Sequence, residues 1–78
     1  MSISPRQCRA ARVGADLSRG ELAELAGVAE RTITDFEREA REPIAATKAA
    51  IRAGLEKAGV RFTADGCICL PEKRGGEA

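Results

Sequence analysis

Histidine, tryptophan and tyrosine are absent from this 78-residue chain, and phenylalanine occurs only twice. Without histidine, the commonest general base of enzymes is missing. No glycine-rich phosphate loop is present, and no apolar run approaches the roughly 20 residues that a membrane-spanning helix needs. The N-terminal segment also lacks the apolar stretch of a signal peptide. We therefore expect neither an enzyme nor a membrane protein, with no cofactor, no small-molecule substrate and a cytoplasmic location.

Cysteine is also scarce, and its odd count of three fits no disulfide framework. Cys67 and Cys69 are separated by one residue, which would place both thiols on one side of a strand. A metal or redox pair is one interpretation of this spacing. Small apolar strand residues are the interpretation we prefer, because no histidine is present to complete a tetrahedral zinc site. We therefore predict no metal site.

Two capping boxes mark where the first two helices should begin. In each, a serine is followed three residues later by a side chain that can bond back to the serine backbone. The boxes are Ser4 with Gln7 and Ser18 with Glu21. They predict helices over about residues 5–15 and 19–26, and Gly27 is typical of a residue that ends a helix.

The remaining elements follow from apolar spacing. A third helix is predicted after Val28, with Ile33 and Phe36 buried, ending near Arg38. A fourth should span about 46–58. Its predicted buried stripe is Ala50, Ile51 and Leu55, with Ala58 beyond, and its predicted solvated residues are Lys48, Arg52, Glu56 and Lys57. Residues 60–62 and 67–70 are typical of short strands, joined by a turn with an Asp-Gly signal. We expect the polar tail at 72–78 to be disordered.

The run Ser18–Glu37, SRGELAELAGVAERTITDFE, resembles the helix-turn-helix of Xre-family (lambda/434 repressor-like) regulators. The most specific part is ELAELAGVxxRTIxxFE, and the resemblance extends from about Ile3 to Phe62. It implies an all-α, compact four- or five-helix domain. With the short C-terminal β-hairpin that the strand pattern predicts, we expect this domain to span residues 1–71. The resemblance also implies transcriptional regulation by a homodimer whose third helix enters the major groove of operator DNA.

The resemblance also assigns roles by position. The residues expected on the exposed side of the third helix, where base edges are met, are Glu30, Arg31, Thr34 and Asp35. Those expected to hold phosphates are Arg19, Thr32, Arg38 and Arg41. Glu37 matches a position that pairs with an arginine of the first helix, here Arg12. We expect that pair to brace the third helix rather than to contact DNA.

Several positions depart from the family pattern. The third helix begins after Ala29, where a serine would usually contribute about 1 kcal/mol by capping. Glu30 stands where a basic or amide side chain is frequent. Glu39 stands where a glycine is common after the third helix, and Glu42 stands at a loop position that is frequently basic. Gly14 stands where the first helix usually has a bulky apolar residue.

Charge is unevenly distributed along the chain. Residues 21–42 carry three arginines against seven acids, a net of −4, whereas 1–20 and 43–61 each carry +3. Carboxylates oppose the phosphate contacts that supply most non-specific DNA affinity. Asparagine is absent and the single glutamine is Gln7, so no amide on the third helix can recognise adenine. Arg31 and Thr34 remain the candidates for base recognition.

Two functions follow. In the first, the chain is a regulator that binds operator DNA through its third helix. In the second, it keeps the fold but uses the acidic surface of its second and third helices to bind and inhibit a transcriptional activator protein. Small antiactivators of the QseM kind, which silence activators on mobile elements, are similar in size and in their acidic helix.

Overall fold

The computed structural model describes residues 3–63 and 68–70, and four helices account for most of them. The elements in chain order are α1 Pro5–Gly14, α2 Arg19–Ala26, α3 Glu30–Glu37, α4 Ala45–Lys57, β1 Arg61–Phe62 and β2 Ile68–Cys69. The helix bounds confirm the predicted ones to within about a residue. The predicted Asp-Gly turn and the polar tail at 72–78 lie outside the described residues.

Local capping interactions explain where α1 and α2 begin. The Ser4 hydroxyl accepts from the Gln7 N–H at 3.1 Å, and the Gln7 side chain accepts from the Ser4 N–H at 2.9 Å. The equivalent bonds between Ser18 and Glu21 are 3.0 and 2.8 Å long. Gly27 ends α2 in the left-handed region, at φ 74°. Both capping boxes and the glycine stop are therefore confirmed.

A thin core of small and branched side chains lies among the four helices. Its fully buried larger members are Cys8, Leu22, Ile33, Phe36, Ile51, Leu55 and Val60. The helix α2 packs against both α3 and α4. The small side chains of Ala11 in α1, Ala15 at its C-cap and Ala23 in α2 complete the core.

The inner face of α4 differs from the predicted one in two respects. Gly54 is buried, while Ala50, expected in the buried stripe, is only half-buried. The reason is the close approach of α2, since a Cβ atom on Gly54 would lie 2.9 Å from the backbone nitrogen of Ala26. Lys48, predicted to be solvated, has a side chain that is 16% exposed and ion-pairs with Glu42. Both differences arise from tertiary partners of α4.

The C-terminal strands form an antiparallel pair, with Arg61 opposite Cys69 and Phe62 opposite Ile68. Phe62 and Ile68 pack against the core. The Leu70 side chain lies on Gly14 of α1, where a Cβ atom would come within 2.5 Å of it. The hairpin leucine thus fills the space that a bulky residue at position 14 would otherwise take. None of the described helices has the length and apolar character that crossing a membrane requires.

Candidate functional site

The position of α3 is fixed from behind by its apolar side. Ile33 and Phe36 are buried in the core, and the left-handed Gly27 turns the chain so that α3 follows α2 after three residues. The N-cap residue, Ala29, makes no side-chain hydrogen bond to the helix, in agreement with the expected missing cap. The helix therefore presents its opposite side to solvent.

That outer side contains the residues predicted to meet base edges. Arg31 has a side chain that is 90% exposed, and its Nε atom lies 3.7 Å from Oδ2 of Asp35 one turn later. The Thr34 hydroxyl donates to the Glu30 backbone carbonyl at 3.2 Å. Because that hydrogen is committed to the helix, Thr34 can offer a base only its acceptor lone pairs and its methyl group. The donor groups on this surface belong to Arg31.

A buried carboxylate, Glu37, connects the first three helices. Arg12 donates to both of its oxygens, from Nε at 2.8 Å and from Nη2 at 3.1 Å. Arg19 Nε lies 3.4 Å from Oε1, and the Cys8 thiol donates to Oε2 at 3.4 Å. The Glu37 side chain is only 1% exposed. This cluster links α1 and α2 to the end of α3, and thereby holds α3 in a fixed orientation.

The pKa values of Glu37, Cys8 and Arg12 are set by burial and by the contacts that these side chains make with one another. Burial alone would raise the pKa of Glu37, but hydrogen bonds from Arg12 and Cys8, together with the Arg12 charge, outweigh it and leave that pKa lowered. The pKa of the Cys8 thiol is raised, first by burial and then by the neighbouring carboxylate. The pKa of Arg12 is raised by its hydrogen bond to Glu37. Glu37 is thus held ionised, and Cys8 is a protonated structural thiol.

Arg19, predicted to hold a phosphate, is shared between this cluster and the surface. Its Nε faces Glu37, yet 40% of its side chain remains exposed. Arg12 by contrast is only 12% exposed and also donates to the Leu17 carbonyl at 2.9 Å. Arg12 is therefore the inner brace, and Arg19 is the partner whose guanidinium still reaches solvent.

The loop after α3 carries the other two predicted phosphate contacts, Arg38 and Arg41. Both are exposed, and neither has an ion pair within the described part of the chain. Glu39 between them adopts φ 58°, in the left-handed region that favours glycine. The loop and α3 border a recess of about 450 Å³ lined by Ala29, Arg31, Thr32, Asp35, Arg41 and Pro43. Thr32, a predicted phosphate contact, is half-buried at its edge.

In the folded chain, several acids of residues 21–42 lie next to positively charged side chains. Asp35 faces Arg31, Glu37 is held by arginines of α1 and α2, and Glu42 pairs with Lys48 of α4. These three acids thus have cationic partners, and those of Glu37 and Glu42 lie outside the segment. The contacts of Cys8 with Glu37 and of Lys48 with Glu42 were not predicted, because neither pair has the i,i+3 or i,i+4 spacing of helical neighbours.

Glu30 occupies an unexpected place. An ideal Cβ atom on Gly20 would lie 3.4 Å from its Oε1 atom, so the carboxylate leans over the first turn of α2. Glu24 and Glu30 border the same open recess and form no ion pair among residues 3–63 and 68–70. Glu24 and Glu30 therefore form an acidic surface, which lies next to the exposed Arg31 at the start of α3.

Residues 3–63 and 68–70 contain no group of three or more His, Cys, Asp or Glu side chains placed to hold a metal ion. Cys67 lies outside them, so the predicted cysteine pair cannot be described, and Cys69 is an exposed free thiol. No protein-family model matches the chain, and no curated protein matches it. The function is accordingly inferred from the residues and geometry of α2, α3 and the loop that follows.

Proposed function

We propose that this chain is an Xre-type transcriptional regulator that binds operator DNA with α3. The observation that carries the proposal is the placement of α3 beyond a tight turn, with Arg31 90% exposed and the opposite face anchored by Ile33, Phe36 and the buried Glu37. A rigidly held helix with an exposed arginine is what insertion into a major groove requires.

The local charge supports this role better than the segment total does. Asp35, Glu37 and Glu42 face cations, which reduces the repulsion that they would exert on a polyanion. Arg38 and Arg41 extend from the loop beside α3 without an acidic partner in the described part of the chain. These two arginines are suited to contact phosphates, which position a protein on the duplex without specifying its sequence.

A homodimer fits such a small surface. One eight-residue helix contacts only a few base pairs, so specific binding by Xre-type proteins combines two half-sites, spaced about one helical turn of DNA apart. We propose that two copies of this chain bind a pseudo-palindromic operator in that way.

The test is a mobility-shift titration of the full chain on the DNA upstream of its own gene, at several salt concentrations. Affinity should fall steeply with salt, because neutralised phosphates release counterions. Arg38→Ala with Arg41→Ala should lower the slope of log K against log salt by about 2. Arg9→Ala, at an exposed position of α1, is a single-charge control and should leave the slope unchanged. Absence of binding at low salt would refute the proposal.

The second candidate is an antiactivator that binds a transcriptional activator protein, and the placement of Glu30 favours it. Helix N-termini attract anions, and here a carboxylate of the same chain already leans over the first turn of α2. Together with Glu24, which borders the same recess, it forms an acidic surface without an ion pair among residues 3–63 and 68–70, and such a surface suits a basic protein partner.

A bacterial two-hybrid assay against the activators encoded in the same genome tests this alternative. Glu24→Lys with Glu30→Lys should abolish capture, because it reverses the charge of the acidic surface. Glu56→Lys, at an exposed position of α4, is the control, a single charge reversal outside the acidic surface, and it should retain capture. Equal capture by all three proteins would eliminate the acidic surface as the interface.

A further inference from the structure

Arg31 and Asp35 form an arrangement suited to recognising one particular base. The Nε side of the guanidinium faces the Asp35 carboxylate at 3.7 Å, a separation that makes an ion pair rather than a hydrogen bond. The five N–H groups of arginine lie in a rigid plane. With Nε turned toward Asp35, the two terminal nitrogens form the edge that remains open to a ligand.

The other side chains of α3 cannot supply a matching pair of donors. The Thr34 hydroxyl hydrogen is used by the Glu30 carbonyl, and Glu30 itself has only acceptors when ionised. No asparagine or glutamine occurs on the helix. A base that presents two acceptors in the major groove can therefore be met only by Arg31.

We propose that Arg31 recognises a guanine by donating two hydrogen bonds, to O6 and N7, and that Asp35 is a positioning residue for its guanidinium. Guanine is the base that presents two acceptors on its major-groove edge, and bidentate arginine is its commonest specific partner. The inference rests on the proposed function, since it requires α3 to enter the groove of DNA.

Asp35 serves this recognition in two ways. A side chain as exposed as Arg31 would otherwise lose its rotational freedom on binding, whereas a carboxylate one turn away already restricts it. Asp35 is also less exposed than Arg31, at 31% against 90%, so the guanidinium is the more accessible group of the pair. Arg41 lines the same recess from the loop after α3, and we assign it a phosphate contact rather than a base contact.

The experiment begins with selection of binding sites from a randomised duplex library by the full chain at low salt. Affinity is then measured by fluorescence anisotropy on the selected duplex, on the duplex with the contacted G·C pair replaced by A·T, and on one containing 7-deazaguanine, which lacks N7. The wild-type chain should lose roughly 5- to 150-fold in affinity on the A·T duplex. It should show a smaller loss, in the same direction, on the 7-deazaguanine duplex.

Substitutions distinguish the role of Arg31 from that of Asp35. Arg31→Ala should bind the original and altered duplexes equally. Asp35→Asn should lower the guanine preference, and Asp35→Glu, which keeps the carboxylate, should restore much of it. Arg41→Ala is the matched control, and it should weaken binding to every duplex alike while leaving the preference unchanged.

The outcomes are distinct for each step. Failure to enrich any duplex would overturn the proposed function, and this inference with it. Enrichment of sites without a required guanine, or an unchanged preference in Arg31→Ala, would overturn guanine recognition while DNA binding remained. An unchanged preference in Asp35→Asn would remove Asp35 as a positioning residue.

Discussion

Gly54 lies where two helices meet, and replacing it by alanine should destabilise the fold although alanine is the better helix former. A Cβ atom at this position would lie 2.9 Å from the backbone nitrogen and 3.0 Å from the Cα atom of Ala26. Both obstructing atoms belong to the backbone of α2, so no side-chain rotation can relieve the contact. The helices α2 and α4 would have to separate.

Two opposing effects set the magnitude. Removing a glycine from the interior of α4 gains about 1 kcal/mol in helix propensity. Overpacking a close interface costs typically about 1–3 kcal/mol, and the rigidity of the α2 backbone favours the upper half of that range. The expected result for Gly54→Ala is a net loss of about 1–2 kcal/mol in the free energy of unfolding.

Urea unfolding followed by circular dichroism at 222 nm measures this change, since the chain has no tryptophan or tyrosine for fluorescence. Gly20→Ala in α2 is the matched control. The nearest atom to its Cβ would be the Glu30 carboxylate oxygen at 3.4 Å, the end of a flexible side chain. This control should be as stable as the wild type or more so. A Gly54→Ala protein that unfolds at higher urea than the wild type would refute the close-approach explanation.

Three further substitutions test the site and its support. Glu37→Gln should lower the unfolding free energy at neutral pH by about 3 kcal/mol, because it leaves the Arg12 charge without its buried partner; wild-type midpoints in thermal unfolding would contradict this. Since the folded-state pKa of Glu37 is below its usual 4.5, its contribution should be present above pH 4.5 and lost as the pH falls through the lowered value. Acid titrations of the wild type should therefore show a loss that Glu37→Gln lacks. Glu39→Gly should raise the unfolding free energy by about 0.5–1 kcal/mol, because the left-handed φ of 58° costs a residue with a Cβ about 1–2 kcal/mol and the backbone entropy of glycine offsets about 0.5–1 kcal/mol of this. An equal gain in Glu39→Lys would attribute the effect to charge instead. Glu30→Gln should increase DNA affinity several-fold at low salt in the mobility-shift assay, and unchanged affinity would show that this carboxylate does not oppose phosphate.

The elements that depend on local interactions could be predicted from the sequence. Ser4 and Ser18 bond to backbone groups three residues away, and Gly27 adopts a conformation that its own lack of a Cβ permits. Such contacts are determined by neighbours in the chain, so spacing suffices to predict them. The same reasoning indicated that Ala29 would leave the start of α3 without a side-chain cap.

Features that depend on distant partners could not be predicted in this way. Gly54 looks like a weak point of α4 until α2 is placed beside it. Cys8 lies 29 residues from the carboxylate to which its thiol donates. These contacts depend on how the helices pack, which apolar periodicity alone does not determine.

Net charge counted along a segment overstates the negative field near α3. The buried Glu37 is compensated by arginines from α1 and α2, and Glu42 by a lysine of α4. The electrostatic field at a surface depends on where the charges lie. The opposite charges of a close ion pair largely cancel each other's field, and salt screens what remains beyond a Debye length of about 8 Å. The −4 of residues 21–42 is therefore weaker evidence against DNA binding than it first appeared. The choice between DNA and a protein partner depends instead on acids such as Glu30, which has no ion pair among the described residues and whose carboxylate lies close to Gly20 in the first turn of α2.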